Sequence, residues 1–235
     1  MAPLMAILEL VTSSGLGSLL GMRHALEPDH LVAVSSLVSR ERSPVRAMLL
    51  GACWGLGHTL TLVIVGAALI VLRLELPASV ADLFEFAVAV MLVALGLRAI
   101  VQAARQGSLG PALPHRHGRI VHVHAGVPAH LHVGAWTLAR RPLIVGAVHG
   151  LAGSGALTAL VLTTLPSTAA RLTYMALFGL GSTIGMATLS GFLGWPLARL
   201  GSHHAVMRSV SMIVGCVCTA LGVLWGYPIF ARWLG

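Results

Sequence analysis

Six long apolar segments dominate the sequence and constrain its fold more than any other feature. A helix needs roughly 20 apolar residues to cross the hydrocarbon core of a bilayer. The segments cover residues 4–22, 45–72, 78–101, 143–165, 168–197 and 206–230, and the first continues past a polar interruption to residue 38. The sequence therefore predicts an all-α integral membrane protein with six transmembrane helices.

The composition excludes the soluble classes of protein. Hydrophobic residues make up 57% of the chain and charged residues only 9%, against roughly 25% charged residues in an ordinary soluble domain. The net charge of +8 does not indicate nucleic-acid binding, because all the basic residues are arginines and most lie in the gaps between apolar segments. The expected partner is the lipid bilayer, and no nucleic acid is expected.

The placement of the arginines predicts the orientation of the spans, since cytoplasmic loops of membrane proteins are rich in Arg and Lys. One set of gaps holds eleven arginines: Arg40, Arg42, Arg46, Arg98, Arg105, Arg116, Arg119, Arg140, Arg141, Arg199 and Arg208. The opposite set holds three, Arg73, Arg171 and Arg232. We therefore predict a multi-pass protein of the cytoplasmic (inner) membrane with both termini outside.

Three short segments recur in the same order along the chain. Residues 24–26 recur at 149–151, residues 54–59 at 178–183 and residues 94–97 at 220–223, with offsets of 125, 124 and 126 positions. Each copy holds three predicted spans, so the second copy enters the membrane from the opposite side. This predicts a 3+3 inverted repeat, with residues 1–101 and 142–235 as the two halves and residues 102–141 as a histidine-rich cytoplasmic loop.

Inverted-repeat transporters bind their substrate at broken helices near the middle of the membrane. The sequence offers two candidate breaks at corresponding positions, Glu27-Pro28-Asp29 and residues 152–155. Pro28 lacks a backbone donor and disfavours helix at the residue before it. The glycines of the second segment relax the backbone there. We therefore expect both helices to be broken.

Ionisable residues are concentrated at the first break. A stretch of eight residues inside the first apolar segment contains five of them: Arg23, His24, Glu27, Asp29 and His30. Ionisable residues inside a membrane span are costly and typically functional. Imidazole suits nickel, copper, zinc and cobalt, and a carboxylate adds negative charge. We predict that His24, Asp29, His30 and, from the second span, His58 converge on a divalent transition-metal ion.

Four further residues are candidates for metal binding or gating: Glu27, His149, Arg23 and Ser154. His149 mirrors His24 across the repeat and either completes the site, serves a second site or packs against a carbonyl group. Because residues 152–155 carry no charge, we expect the first half to hold the ion and the second to move past it at Gly153 and Gly155. Arg23 is expected to pair with Glu27 or Asp29.

The loop between the halves carries six of the twelve histidines. They form three His-x-His pairs, and short histidine-rich tracts indicate metal binding. The six candidates are His115, His117, His122, His124, His130 and His132. In residues 120–124 and 130–133 apolar residues alternate with histidines, and a turn-like Gly-Val-Pro lies between the two stretches. This pattern predicts a hairpin that gathers four imidazole rings on one face. A disordered linker is the alternative.

The motifs resemble those of the nickel/cobalt permease (NiCoT/NicO-like) superfamily. Residues 24–30, HALEPDH, resemble its His-x4-Asp-His signature, residues 56–59 its next motif, and residues 149–154 the second-half motif of its urease-accessory-protein-H-like branch. The family signature usually ends in Asp-Ala-Asp-His, whereas this sequence has Glu27-Pro28-Asp29-His30 at the same place. The resemblance implies nickel or cobalt handling and a metal role for His24, Asp29, His30 and His58.

The function expected from these observations is that of a secondary transporter for Ni²⁺ or Co²⁺, with uptake favoured. Efflux is one alternative, and a non-transporting accessory protein that passes metal to metallochaperones or metalloenzyme maturation proteins is another. The metal is a substrate, and no prosthetic group is expected. We expect no enzyme activity: a serine-protease Gly-x-Ser-Gly motif and a Gly-x4-Gly-Lys phosphate loop are both absent from the sequence.

Overall fold

Seven helices account for most of the residues that the structure describes. The computed structural model describes residues 15–39, 41, 43–74, 76–105, 115–117, 120–122, 130–133, 136–165, 167–200 and 204–235. Within these residues α1 covers 15–24. The others are α2 Pro28–Val38, α3 Pro44–Leu72, α4 Ala78–Arg105, α5 Arg140–Thr164, α6 Thr168–Leu200 and α7 His204–Leu234.

Four of the described helices are long and apolar enough to cross a membrane: α3, α4, residues Thr168–Leu197 of α6 and Ala205–Leu234 of α7. Large apolar side chains such as Leu60, Ile64 and Phe192 face outward on these helices. The protein is therefore a helical membrane protein. The predicted count of six stays a prediction, because the first predicted span lies partly outside the described residues and α5 is not among the four.

The ends of α3 follow from its flanking residues. Ser43 caps the first turn by accepting a hydrogen bond from the Arg46 backbone N–H, and Pro44 occupies the first helical position, where no backbone donor is needed. Arg73 adopts a left-handed conformation with a φ of 53° and ends the helix. Residue 58 lies midway between these ends, so His58 is the central residue of a 29-residue helix.

The predicted first break is present between α1 and α2. The last turn of α1 tightens, since the N–H groups of Leu26 and Glu27 donate to the carbonyl groups three residues earlier. Glu27 is extended, with a ψ of 148°, and Pro28 begins α2. A proline interrupts the helical ladder because it has no N–H to donate and its ring clashes with the preceding turn.

The predicted second break is wrong. Helix α5 runs without interruption from Arg140 to Thr164 and includes residues 152–155. Glycine costs about 1 kcal/mol relative to alanine within a helix, but it keeps its N–H group and so leaves the ladder intact. The two mirrored segments therefore differ because only the first contains a proline.

The described residues of the connection between α4 and α5 form four short strands. They are β1 His115–His117, β2 Ile120–His122, β3 His130–Val133 and β4 Trp136–Ala139. β1 pairs with β2 and β3 with β4, both antiparallel, so that His115 lies opposite His122. The predicted hairpin, which joined residues 120–124 to 130–133, is wrong, because each of those strands pairs with its other neighbour along the chain.

Close helix contacts occur in pairs that the repeat relates to each other. A Cβ atom on Gly21 would overlap the carbonyl group of Phe178, and one on Gly146 would overlap that of Trp54. Gly146 follows Gly21 by 125 positions, and Phe178 follows Trp54 by 124. Gly57 against Leu143 and Gly181 against Ser18 form another such pair, as do Gly96 against Thr219 and Gly222 against Val93.

The corresponding helices α3 and α6 cross in opposite directions. Thr59 contacts Gly179 while Gly55 contacts Thr183, so residue numbers rise on one helix as they fall on the other. The Oγ1 atoms of Thr59 and Thr183 lie 2.8 Å apart, and both also lie within hydrogen-bond distance of the Gly179 carbonyl group, so one hydroxyl can donate to that carbonyl and the other to its partner hydroxyl. Two threonines in corresponding positions thus meet at the centre of the bundle.

Candidate metal centre

The break between α1 and α2 brings separate stretches of chain to one point. His24 ends α1, whereas Asp29 and His30 lie in the first turn of α2. Because the extended Glu27 turns the chain between them, the rings of His24 and His30 lie side by side, with centroids 4.4 Å apart. An unbroken helix would have set these rings about 9 Å apart along its axis.

The first ligand group consists of His24, His30 and His58. One ring nitrogen of each lies within 4.8 Å of the other two. The Nε2 atoms of His24 and His58 are 3.3 Å apart, the spacing expected of two imidazoles that each lie about 2.0–2.1 Å from one ion at a near-tetrahedral angle. Helix α3 therefore presents its central residue to the break.

The second ligand group consists of Asp29, His30 and His149, and all three are buried. Oδ1 of Asp29 lies 3.0 Å from Nδ1 of His30, and Oδ2 lies 2.7 Å from Nε2 of His149. The carboxylate thus joins an imidazole of the first half to one of the second half. Such a contact fixes the orientation of a metal-binding ring and its tautomer.

The residues around the two ligand groups differ in exposure, polarity and size. Glu27 contacts Nδ1 of His24 at 3.0 Å, and its side chain is 54% exposed. The Trp54 ring packs 5.4 Å from His30 and 5.7 Å from His149. A Cβ atom on Gly153 would lie 3.9 Å from Nε2 of His24 and 4.0 Å from that of His58, so the absent side chain leaves room beside both rings.

The donor set fits a borderline divalent metal. Among the described residues, the buried ring nitrogens His30 Nε2, His58 Nδ1 and His149 Nδ1 have no hydrogen-bond partner. Unpaired polar atoms at such depth are uncommon and call for a ligand or water. Imidazoles with one carboxylate suit nickel, cobalt, zinc and copper, whereas the all-oxygen shells that Mg²⁺ and Ca²⁺ prefer do not match this cluster.

The structure brings together His24, Asp29, His30 and His58, the four residues named from the sequence as ligands. It also adds His149, one of the further candidates, through its contact with Asp29. Metal binding itself stays a prediction. The expectation that the first half holds the ion also stays a prediction, and His149 and Gly153 of α5 line the same cluster.

The expected ion pair of Arg23 is also absent among the described residues. Arg23 is exposed, while both oxygens of Asp29 contact imidazoles and Glu27 contacts His24. The carboxylates thus already have nearby partners, and the Arg23 side chain lies exposed on the surface of the bundle. The side chains of Ser154 and of the six loop histidines lie outside the part of the chain that the structure describes.

Two neighbours of the site were missed from the sequence. Trp54 lies four residues before His58, a spacing that places both on one face of α3 and could have been used to find it. Gly153 was considered only as a flexible point, although it follows His149 by the same four residues. In a helix this spacing gives Gly153 the face of α5 that carries His149.

Comparison with known proteins gives a family. Over 221 residues the chain is 32% identical to urease accessory protein UreH of Bacillus sp. (strain TB-90), a match covering 94% of this chain and 93% of that protein. No protein-family model and no solved structure matches the chain.

Two plant proteins are more distant relatives. The chloroplast proteins FOR GROWTH AND FERTILITY 1 and 2 of Arabidopsis thaliana are 30% and 27% identical over 188 residues each. These matches cover 78% and 79% of this chain but only 50% and 48% of the plant proteins, so the chain spans about half their length. The near-complete match to the bacterial protein is decisive: the chain belongs to the UreH family of urease accessory proteins.

Proposed function

We propose that this protein is a permease that carries a divalent transition-metal ion into the cytoplasm, with Ni²⁺ as the first candidate substrate and Co²⁺ as the second. The observation that carries the proposal is the pair of overlapping ligand groups buried among apolar helices. Ionisable groups inside a membrane-spanning bundle are costly and typically mark an ion pathway. The UreH relative, by its name a urease accessory protein, supports nickel.

The proposed architecture has six spans in a 3+3 inverted repeat. Support comes from the close contacts that occur in pairs related by 124 to 126 positions, such as Gly21 with Phe178 and Gly146 with Trp54. The antiparallel crossing of α3 and α6 favours an inverted repeat over a parallel one, since a repeat axis along the membrane normal would leave corresponding helices parallel.

Helix directions also support the proposed topology. Gly17 contacts Tyr174 and Gly21 contacts Phe178, so α1 runs parallel to α6. Such a pair crosses the membrane in the same direction, as the first and fifth of six spans must. The arginine-rich ends of the helices then face the cytoplasm together, along with the histidine-rich loop.

The proposed chemistry is binding without bond breaking in the substrate. His24, His30 and His58 form one ligand group and Asp29, His30 and His149 the other, and Asp29 also contacts the imidazoles of His30 and His149. Glu27 and Asp29 supply negative charge that offsets the two positive charges of the ion. We propose no enzyme activity and no prosthetic group, and membership of the nickel/cobalt permease superfamily.

Transport by the purified chain tests the proposal. Liposomes containing it are expected to accumulate radioactive nickel above the level of empty liposomes, and His58→Ala is expected to lower the initial rate by roughly tenfold or more, because it removes a ligand. Ser190→Ala is a matched control: Ser190 is buried on α6, away from the histidines, and its hydroxyl has no partner among the described residues. Its rate should equal that of the wild type.

A second candidate function is an accessory role in which the protein passes metal to maturation partners without moving it across the membrane. The name of the UreH relative favours keeping this candidate. The same liposomes separate the two functions. Wild-type protein that binds nickel but admits none to the vesicle interior would support the accessory role and contradict the permease.

A further inference from the structure

We propose that the two ligand groups are successive binding positions for a single ion, and that His30 passes the ion from one to the other. The first position is His24, His30 and His58, and the second is Asp29, His30 and His149. This inference rests on the proposed transport function and adds to it an order of binding along the axis of the bundle.

Three segments of chain agree on that order. From the first break onward the chain passes His24, then Asp29, and then the arginine-bearing gap before α3. Helix α5 starts at the same arginine-rich end, and His149 comes four residues before Gly153, which lies beside His24 and His58. Four residues of helix span about 6 Å. The second position is therefore nearer the arginine-rich end.

Helix α3 is consistent with this order. It also starts at the arginine-rich end, and Trp54 comes four residues before His58. The His30 ring lies 5.4 Å from each of these two rings, but the His149 ring is closer to Trp54, at 5.7 Å, than to His58, at 6.4 Å, while Nε2 of His24 contacts His58. The His149 ring is therefore displaced toward Trp54 and the arginine-rich end, although its backbone lies beside His58.

The ring of His30 lies between the two positions. Its centroid is 4.4 Å from that of His24 and 4.2 Å from that of His149. Its Nδ1 contacts Asp29, and its Nε2 is buried with no partner among the described residues. An ion that moves between the positions therefore exchanges its other ligands while it stays bound to one histidine.

Exposure suggests where the ion arrives. The His24 side chain of the first position is 15% exposed and contacts the half-exposed Glu27, whereas the side chains of Asp29 and His149, which belong only to the second position, are 10% and 3% exposed. His58 of the first position and the shared His30 are both buried. Negative charge at Glu27 attracts a cation to the first position. With the arginine-rich end in the cytoplasm, the ion binds at the outer position first and at the inner position second, which is the order of uptake.

Ligand exchange in this order needs no co-reactant. The ion leaves two imidazoles, those of His24 and His58, and gains the carboxylate of Asp29 and the imidazole of His149. Because His30 belongs to both groups, the two positions hold one ion between them at a time. Sharing also keeps the ion from being free in the apolar interior, where an unbound charge is most costly.

Binding of radioactive nickel from each face of the membrane tests the order. The variants are His58→Ala, which disrupts only the first position, and His149→Ala, which disrupts only the second. Both are made with the six loop histidines replaced by alanine, so that the loop binds no nickel. Right-side-out and inside-out vesicles on ice then report the outer and cytoplasmic faces, with vesicles lacking the protein as background.

We expect His149→Ala to bind nickel from the outer face and His58→Ala to bind it from the cytoplasmic face, each with at least roughly tenfold weaker binding from the other face. The reverse sidedness, or equal loss on both faces in both variants, would overturn the inference. His58→Asn and His149→Asn, which retain polarity, are measured alongside and must give the same pattern. Sided binding with no uptake by the wild type would refute the transport function instead.

Discussion

The two halves of the molecule share a scaffold but not a site. Reciprocal contacts such as Gly21 with Phe178 and Gly146 with Trp54 place the backbones of the halves in equivalent environments. The side chains at the candidate metal centre are not equivalent. The positions that correspond to Asp29, His30 and His58 are Ser154, Gly155 and Ser182, and only His24 has a histidine counterpart, His149.

This difference separates packing from chemistry. Close helix approach needs a small residue at a fixed place on each helix, so the pattern of glycines persists in both copies. A metal centre near the middle of the bundle needs its ligands only once. Ser182 shows the consequence, because it occupies the position of His58 and donates a hydrogen bond to the Gly21 carbonyl group instead.

The largest effect is expected from the residue that both ligand groups share. His30→Ala removes a ligand from each group, and we expect nickel affinity to fall by more than about 100-fold, beyond the loss caused by an orienting residue alone. Isothermal titration of the purified protein, without the loop histidines, measures this. Ser190→Ala should keep the wild-type affinity. An unchanged affinity of His30→Ala would contradict the proposed metal centre.

The scaffold should respond equally in the two halves. Gly21→Ala and Gly146→Ala each push a Cβ atom into a carbonyl group of a neighbouring helix, and we expect each to lower the free energy of unfolding by about 1–3 kcal/mol. Gly15→Ala is the control, since no described residue lies within 4 Å of its Cβ position. Thermal unfolding in detergent compares the three variants. A large loss in only one of the two halves would contradict the shared scaffold.

Removing the proline tests whether the break matters to the site. Pro28→Ala restores a backbone donor at residue 28 and lets α1 continue into α2, which would draw Asp29 and His30 away from His24. We expect about a tenfold loss in nickel affinity, or roughly 1.4 kcal/mol. Pro44→Ala is the matched control, because Pro44 is also the first residue of its helix but lies at no break. Equal affinities for the two variants would count against a role for the break.

The smallest effect is expected where the halves meet. Thr59→Val and Thr183→Val each remove a hydroxyl from the central contact, and hydrogen bonds between helices in membranes average about 0.6 kcal/mol. A double-mutant cycle should give a coupling free energy of that size. Additive effects would mean that the two threonines do not stabilise each other.

The sequence predicts the helical class and much of the site because both depend on local patterns. The predicted segments 45–72, 78–101, 168–197 and 206–230 fall within α3, α4, α6 and α7. Pro28 predicts the first break correctly, since a missing N–H acts on the backbone wherever it occurs. Four of the five residues in the two ligand groups were named as ligands, and the repeat singled out His149.

The errors arise where several outcomes have similar free energies. Glycines 153 and 155 permit a break but do not impose one, and the helix remains intact. The alternation of apolar residues and histidines in the loop predicts strands, but it does not specify which strands pair. It could therefore not predict that β1 pairs with β2 and β3 with β4. Arg23 has no ion pair among the described residues, since Glu27 and Asp29 contact histidines instead. One of these contacts, from His149 to Asp29, joins distant parts of the chain, which a sequence does not reveal.

X-ray absorption by nickel bound to the purified protein tests the central claim, a metal centre built mainly from imidazoles of both halves, most directly. The six loop histidines are replaced by alanine so that bound nickel reports only the buried cluster. We predict one nickel ion per chain, with nitrogen and oxygen ligands and scattering from imidazole rings that weakens in His58→Ala and in His149→Ala. No bound nickel, or a spectrum that neither variant changes, would contradict the account.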